Sequence, residues 1–536
     1  MNRWWALCLL TIASLLGCVA ESDHPRATSN SGPPAYGDNL IVGTIGEPSN
    51  LIPILASDSA SHDVAGLIYN GLLKYDKNLQ LVGDLAESWQ ISKDGLTITF
   101  HLRKGIKWHD GVEFSSRDVM YTYRVTIDPK TPTAYAEDFK QVKSASAPDP
   151  YTFRVTYDKP FAPALASWGM NILPSHLLEG KDITKSPLSR KPVGTGPFRF
   201  KEWIAGQRVV LDANRDYFEG RPYIDHYTYR IIPDNSTMYM ELKAGGIDMM
   251  GLTPVQYQRQ TNSKDFLVRF SKYRYPSSSY VYLGFNLRHP LFSDKRIRQA
   301  ITAAINKDEI IHGALLGMGQ TAHGPFKPGT WADNPGQKDI PYDPSLSIKL
   351  LAEAGWQMNS DGKLIKNGKP FQFTILTNQG NDVRLKTAQI IQQRLKRIGI
   401  EVKIRVVEWA SLLSQFIDKG NFEALVMGWT ITPDPDLFDV WHSSKTGPKE
   451  LNFVGYKNQE VDRLIEQGRS TFDQEKRKQC YYRIQEILVE DQPYSFLYVP
   501  DALPVVSSRF KGIEPAPAGI SYNLIKWYVP KVEQAH

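Results

Sequence analysis

The sequence predicts an α/β protein built from more than one lobe, and three observations carry that reading. A stretch with period-two patterning lies in the first third, helix and strand alternate after about residue 280, and the chain turns extended again near its end. With 536 residues, the length fits roughly three or four domains, or fewer large ones with insertions. Hydrophobic residues make up 41% and charged residues 22%, which excludes wholesale disorder and a collagen. Three cysteines exclude a disulfide scaffold. A net charge of +6 is too dilute over this length to argue for nucleic acid, and no basic stripe stands out.

Taken in order, Arg3, the apolar run Trp4–Leu16 and the small Gly17 read as a signal peptide over 1–17, too short to span a membrane as a helix. Leu15-Leu16-Gly17-Cys18 resembles a bacterial lipobox, which implies that Cys18 becomes the lipid-modified first residue. Residues 18–38 are rich in Ser, Asn, Gly and Pro and read as a flexible tether. Leu40–Gly43 is a strand, followed by a loop and a helical stretch over His62–Leu73. Leu96, Ile98, Phe100 and Leu102 alternate with polar residues after the Asp94-Gly95 turn, as do Tyr151, Phe153, Val155 and Tyr157 after Asp149-Pro150. Further strands are expected at Arg208–Asp212 and His226–Ile232.

Beyond 280, Ile297, Ala300, Ile301, Ala304 and Ile305 share one helical face behind Ser293-Asp294. Val383–Ile398 is a second helix, closed by Gly399 as its C-cap, and Ile400, Val402, Ile404 and Val406 alternate as a strand, half of a βαβ unit. After a helix over Gln474–Glu490 the chain returns to strand at Tyr494–Val499, which suggests that the C-terminus rejoins the first lobe. Cys480 lies in that last helix and reads as a buried small residue.

Catalytic signatures do not appear. No histidine pair stands at i and i+4, no Gly-x-Ser-x-Gly elbow occurs, and the cysteines cannot form a cluster. Gly317–Ala322 reads as a helix-ending loop, Gly362–Lys369 as a hairpin, and His109-Asp110-Gly111 as a turn beside a half-exposed histidine. No catalytic residue, metal ligand or cofactor is therefore assigned.

Residues 40–530 resemble the extracellular solute-binding proteins of peptide, dipeptide and nickel ABC importers. The matching stretches, in family order, include Ile68–Leu72, Leu85–Trp89, Asp94–Gly111, Val193–Phe198, Asp216–Phe218, Phe285-Asn286 with Arg296–Ala300, and Leu351–Trp356. The resemblance implies the two-lobed periplasmic-binding-protein fold (type II-like), with hinge strands crossing near Tyr275–Tyr280 and Tyr498–Leu503 and an extra β-rich subdomain inserted in lobe 1. Lobe 1 would comprise 39–80, 192–276 and 503–536, the insert 81–191, and lobe 2 277–502. It further implies an exported monomer, periplasmic or at the cell surface, anchored in the membrane through Cys18. This lipoprotein would close on peptides, oligopeptides foremost, and deliver them to the permease subunits of an ABC importer. A nickel chelate, haem or an oligosaccharide is the alternative ligand in the same fold; a secreted hydrolase is the alternative from another class.

A binder of many peptides should pair with their common backbone as an added strand and leave side chains in roomy pockets. Gly428-Trp429-Thr430 stands where family members carry the strand-pairing Gly-Trp step, and Trp409 matches a cavity-lining position. Family members place an aspartate for the ligand ammonium a few residues later; here Ile431-Thr432 occupies that place, making Thr432 the candidate lining residue. Asp434 matches a structural Asp-Pro turn. Free-amino recognition, and with it short-peptide specificity, is thereby put in doubt. Arg384 lies where a cationic or polar cavity residue begins a helix, and Ser57, Asp58 and Ser59 match a ligand-touching loop of lobe 1.

Overall fold

The computed structural model describes residues 32–535; the signal segment, Cys18 and most of the expected tether lie outside the described residues. The first sheet has seven strands, in the order Phe270–Lys272, Pro504–Ser507, Met249–Gly251, Asn39–Thr44, His226–Ile231, Arg208–Ala213 and Phe198–Ile204. Asn39–Thr44 pairs in parallel with His226–Ile231, and Pro504–Ser507, from the far end of the chain, completes the sheet beside Met249–Gly251. Alternation explains these strands: Val209 and Leu211 are fully buried, and their neighbours Arg208, Val210 and Asp212 are not.

From Tyr36 onward the expected tether is packed. Tyr36 stacks on Tyr223 at 4.9 Å, and the buried Asp38 is paired with Arg509, which also donates to Asp248 over 2.8 Å. Asp38 and Arg509 are 471 positions apart, so local composition could not reveal that this aspartate has a partner.

The second sheet runs Tyr275–Pro276, Tyr494–Ala502, Ser279–Phe285, Ala424–Thr430, Gln372–Asn378 and Glu401–Val407, with Gly319–Thr321 pairing off the Tyr494–Ala502 strand. That last short strand lies where a plain loop was expected, because Gly319 pairs with Pro500. The predicted βαβ half-unit is present: Gln372–Asn378 and Glu401–Val407 pair in parallel around the helix Asp382–Lys396. Asn381 caps that helix on Arg384 N (3.0 Å), and Gly399 follows it at φ 83°, a conformation glycine adopts without steric cost. Burial of Ile390, Ile391 and Leu395 against Phe373 and Ile375 fixes its face.

Two chain segments run between the sheets. Tyr275 and Pro276 pair with Ala502 and Asp501, Ser277 N donates to Pro500 O at 3.1 Å, and Arg274 pairs with Asp501 at 2.7 Å. The crossings are thus bonded to each other, the geometry of a narrow hinge. A separate four-stranded antiparallel sheet, Ala86–Ile91, Thr97–Leu102, Thr152–Tyr157 and Val142–Asp149, carries the period-two segments. Its Phe100 and Phe153 pack on Trp168, with ring centroids 6.0 and 4.9 Å away. His109 ties this region to the loop Val193–Phe198: its Nε2 donates to Gly196 O (3.0 Å) and its Nδ1 accepts from Gly194 N (3.2 Å). Burial, the largest influence, depresses its pKa to about 4. Cys480 is buried, and burial pushes its thiol up. Among the described residues no helix is long and apolar enough to cross a membrane.

The lobes are closed. Trp409 of the second lobe lies against Gly46 of the first, where a side chain on Gly46 would fall 3.5 Å from the indole. Asn235 donates to Gly380 O across the same gap (2.6 Å).

Candidate ligand-binding cleft

Between the lobes lies a cavity of about 880 Å³, walled by the loop and helix start at Ser57–Asp63, by the insert around Asp138 and Ser167–Asn171, and by the strand end Met427–Thr430. It falls in the size range of small-ligand sites. Ser57, Asp58, Ser59, Arg384, Trp409, Gly428, Trp429, Thr430 and Thr432 all line it. The fold brings together residues spread over the whole chain because the two sheets face each other across the hinge.

The strand Ala424–Thr430 offers its backbone to this space. Ile431 N donates to Ser278 O at 2.8 Å, and the register sets Trp429 opposite Tyr280 and Gly428 opposite Val281. Bonded positions alternate in an antiparallel pair. Met427 and Trp429 therefore turn their N–H and C=O groups to the neighbouring strand, and Gly428 and Thr430 turn theirs away. On that far side the parallel partner is in register only at Ala424 and Leu425, so the edge beyond opens on the cavity. A side chain at 428 would fall 2.8 Å from Tyr280 O and 3.0 Å from Arg384 Nη2; glycine keeps the edge clear.

Trp429 is half-buried, donates to Tyr494 Oη (3.2 Å) and packs on Phe453. Trp409 shows one face to the cavity, while its Nε1 is buried without a partner. Arg384 donates through Nη1 to Asn378 Oδ1 at 2.9 Å. No carboxylate among the described residues pairs with it, and desolvation lowers its pKa, opposed only by the buried Tyr498 and Tyr282. Asp58 differs: it caps the helix Ser59–Ile68 and accepts from Ser49 Oγ (2.5 Å), Ser61 N (2.9 Å) and Ser61 Oγ (2.8 Å). Its carboxylate is committed to holding the loop in shape, and the exposed Ser57 and Ser59 flank it. Thr432 likewise donates inward, to Asp434 O (2.6 Å).

An acidic wall escaped the sequence reading. Asp138, Asp434, Asp436, Asp439 and Glu450 all line the cavity, with Arg469, Arg477 and Lys445 behind them. Asp434 is held by Arg477 through two bonds, 3.1 and 2.8 Å, in keeping with a structural role. Burial pushes Asp436 up to about 7 against the pull of Arg469, and burial together with Asp138 raises Asp439 far above the carboxylate range. Asp439 Oδ1 has no hydrogen-bond partner. No sequence signal marks this wall, since Asp138 reaches it from a different body of the fold. Among the described residues no group of three or more His, Cys, Asp or Glu side chains could hold a metal ion.

The family model for bacterial extracellular solute-binding proteins, family 5 Middle, matches residues 80–450. The chain belongs to this family. Among family 5 relatives, the oligopeptide-binding protein AppA of Bacillus subtilis (strain 168) is 36% identical over 547 residues, 99% of this chain and 100% of that protein. The structure of AppA in complex with a nonapeptide has a TM-score of 0.88, covering 93% of this chain and 100% of that one. Helicobacter pylori DppA in complex with the peptide STSA is 31% identical with a TM-score of 0.84, covering 93% and 99% of the two chains. Campylobacter jejuni NikZ in complex with Ni(L-His) is 29% identical, also at 0.84, covering 92% and 99%. These family 5 proteins bind solutes; the two-lobed α/β fold expected from the sequence is theirs.

Proposed function

We propose that this protein captures peptides, oligopeptides foremost, in the interlobe cavity and delivers them to the permease of an ABC importer, with no chemistry of its own. The observation that carries this reading is the open backbone edge at Gly428 and Thr430. An edge of N–H and C=O groups reads what all peptides share, and a haem or a metal chelate could not complete it as a strand. Arg384 supplies a charge for a carboxylate or a carbonyl, and the indoles of Trp409 and Trp429 supply apolar walls for varied side chains. The peptide complexes of AppA and DppA support the same reading.

In this proposal 39–80, 192–276 and 503–536 form lobe 1, 81–191 the insert and 277–502 lobe 2, and the protein acts as a monomer. Export and a lipid on Cys18 place it at the outer side of a membrane; labelled lipid should then enter the wild type and not Cys18→Ser. Titration calorimetry against peptides of increasing length, a nickel–histidine chelate and haem tests the ligand class. Peptides should bind, and backbone N-methylation of the central residues should weaken them. Equal binding of the methylated peptide would refute strand pairing, and binding of haem or the chelate alone would replace the ligand class.

A further inference from the structure

We infer that Arg469, which does not line the cavity, is a positioning residue for capture: it latches the inserted subdomain to the second lobe and so holds the closed cleft around its ligand. The inference rests on the proposed capture by closure. Arg469 ends the helix Gln459–Arg469, with its side chain only 5% exposed. Its neighbours come from both bodies. From the insert, Asp138 is hydrogen-bonded to Nη2, Ala162 N donates to the Arg469 carbonyl (2.8 Å), and the Phe161 ring lies 4.9 Å from the guanidinium carbon. From the second lobe, Asp436 lies 3.3 Å from Nε, close enough to attract without hydrogen-bond alignment, and the Phe438 ring lies at 4.3 Å. Lys445 repeats the arrangement beside it, 3.7 Å from Glu137 of the insert and 3.2 Å from Glu450 of its own lobe.

Closure brings carboxylates together. Asp138 from one body meets Asp436 and Asp439 from the other, all on the cavity wall. In an opened molecule each would be hydrated; in the closed one burial pushes all three toward the protonated form, and the cations set behind them offset the charge that remains. A buried ion pair adds little net stability against water, yet removing one partner leaves the other charge stranded in the seam. Arg469 reaches Asp138 and Phe161 of the insert only in the closed state, which makes it a determinant of how slowly ligand leaves. Two phenyl rings that exclude water around its guanidinium strengthen the dependence.

The test measures dissociation of an equimolar pool of dansyl nonapeptides by stopped flow, together with the radius of gyration of the full mature chain by X-ray scattering. In Arg469→Gln, koff should rise at least about tenfold, kon should stay within about threefold, and the peptide-bound protein should remain more expanded than wild type. Arg469→Lys should fall between the two. Adding Asp138→Asn to Arg469→Gln should recover part of the loss, because the stranded carboxylate is removed. A folded Arg469→Gln with wild-type koff and dimensions would overturn the latch, as would a double variant whose defects simply add. If Arg469→Gln does not fold, Asp138→Asn alone decides: a raised koff supports the latch and a wild-type koff overturns it. Should wild type fail to bind the peptide pool, the peptide reading falls, and scattering of the ligand-free proteins judges the latch: a more expanded Arg469→Gln supports it and wild-type dimensions overturn it.

Discussion

Replacing Arg384 with methionine separates binding from stability in this cleft. In the closed protein the guanidinium has one conventional acceptor, Asn378 Oδ1 at 2.9 Å, and a long contact to Met427 Sδ at 3.6 Å. Desolvation works against its charge. Arg384→Met removes that desolvation cost but leaves Asn378 Oδ1 without its donor. Each effect is about 1–3 kcal/mol and they oppose each other. The melting temperature should therefore move by no more than about 3 °C in a chain of this size. A ligand carboxylate or carbonyl bonded to the guanidinium would lose a charge-assisted bond of about 1.5–3 kcal/mol, roughly 10- to 150-fold in Kd. Calorimetric titration with an oligopeptide, paired with thermal unfolding of the free protein, reads both quantities. An unchanged Kd in the folded variant would refute a ligand role for Arg384. A large fall in melting temperature would show that its charge is compensated in a way the hydrogen bonds do not reveal.

Three further outcomes are expected. Gly428→Ala places a methyl group 2.8 Å from Tyr280 O and 3.0 Å from Arg384 Nη2, so unfolding free energy should drop by about 1–3 kcal/mol, and calorimetry should show weaker peptide binding because the strand edge is displaced. Trp429→Ala should weaken peptide binding by loss of an apolar wall, read in the same titration; an unchanged affinity would return the indole to a packing role. His109 is neutral in the fold, with its pKa depressed to about 4 by burial against about 6.5 when unfolded. The unfolded chain takes up the proton first as pH falls, so the stability contributed above pH 6.5 is lost toward pH 4. Denaturant titrations at a series of pH values should show this slope, up to about 3 kcal/mol across the window. In His109→Gln that part of the slope should vanish.

Much of the architecture was written in local patterns. Period-two runs gave the insert's strands, and helical spacing over Val383–Ile398 with Gly399 after it gave the helix that the fold places at Asp382–Lys396, and its parallel strand. Such features depend on neighbours within a few residues, so the sequence shows them directly. Gly428-Trp429-Thr430 was legible as a candidate through the family resemblance, which places a strand-pairing Gly-Trp step there. What the pattern could not say is which way the backbone groups of Gly428 and Thr430 turn. That follows from the phase of pairing with Ser279–Phe285, set by a bond between Ile431 and Ser278.

The sequence by itself determined the two kinds of supersecondary structure, the absence of familiar catalytic motifs and the family resemblance. Only the tertiary structure decided how charge is arranged around the ligand. Asp138 and Arg469 are 331 positions apart, and Asp38 and Arg509 are 471 apart. Electrostatic energy depends on distance in space and on the water excluded between charges, and neither is encoded in spacing along the chain. Arg469, which no local pattern singled out, is thereby buried against both Asp138 and Asp436.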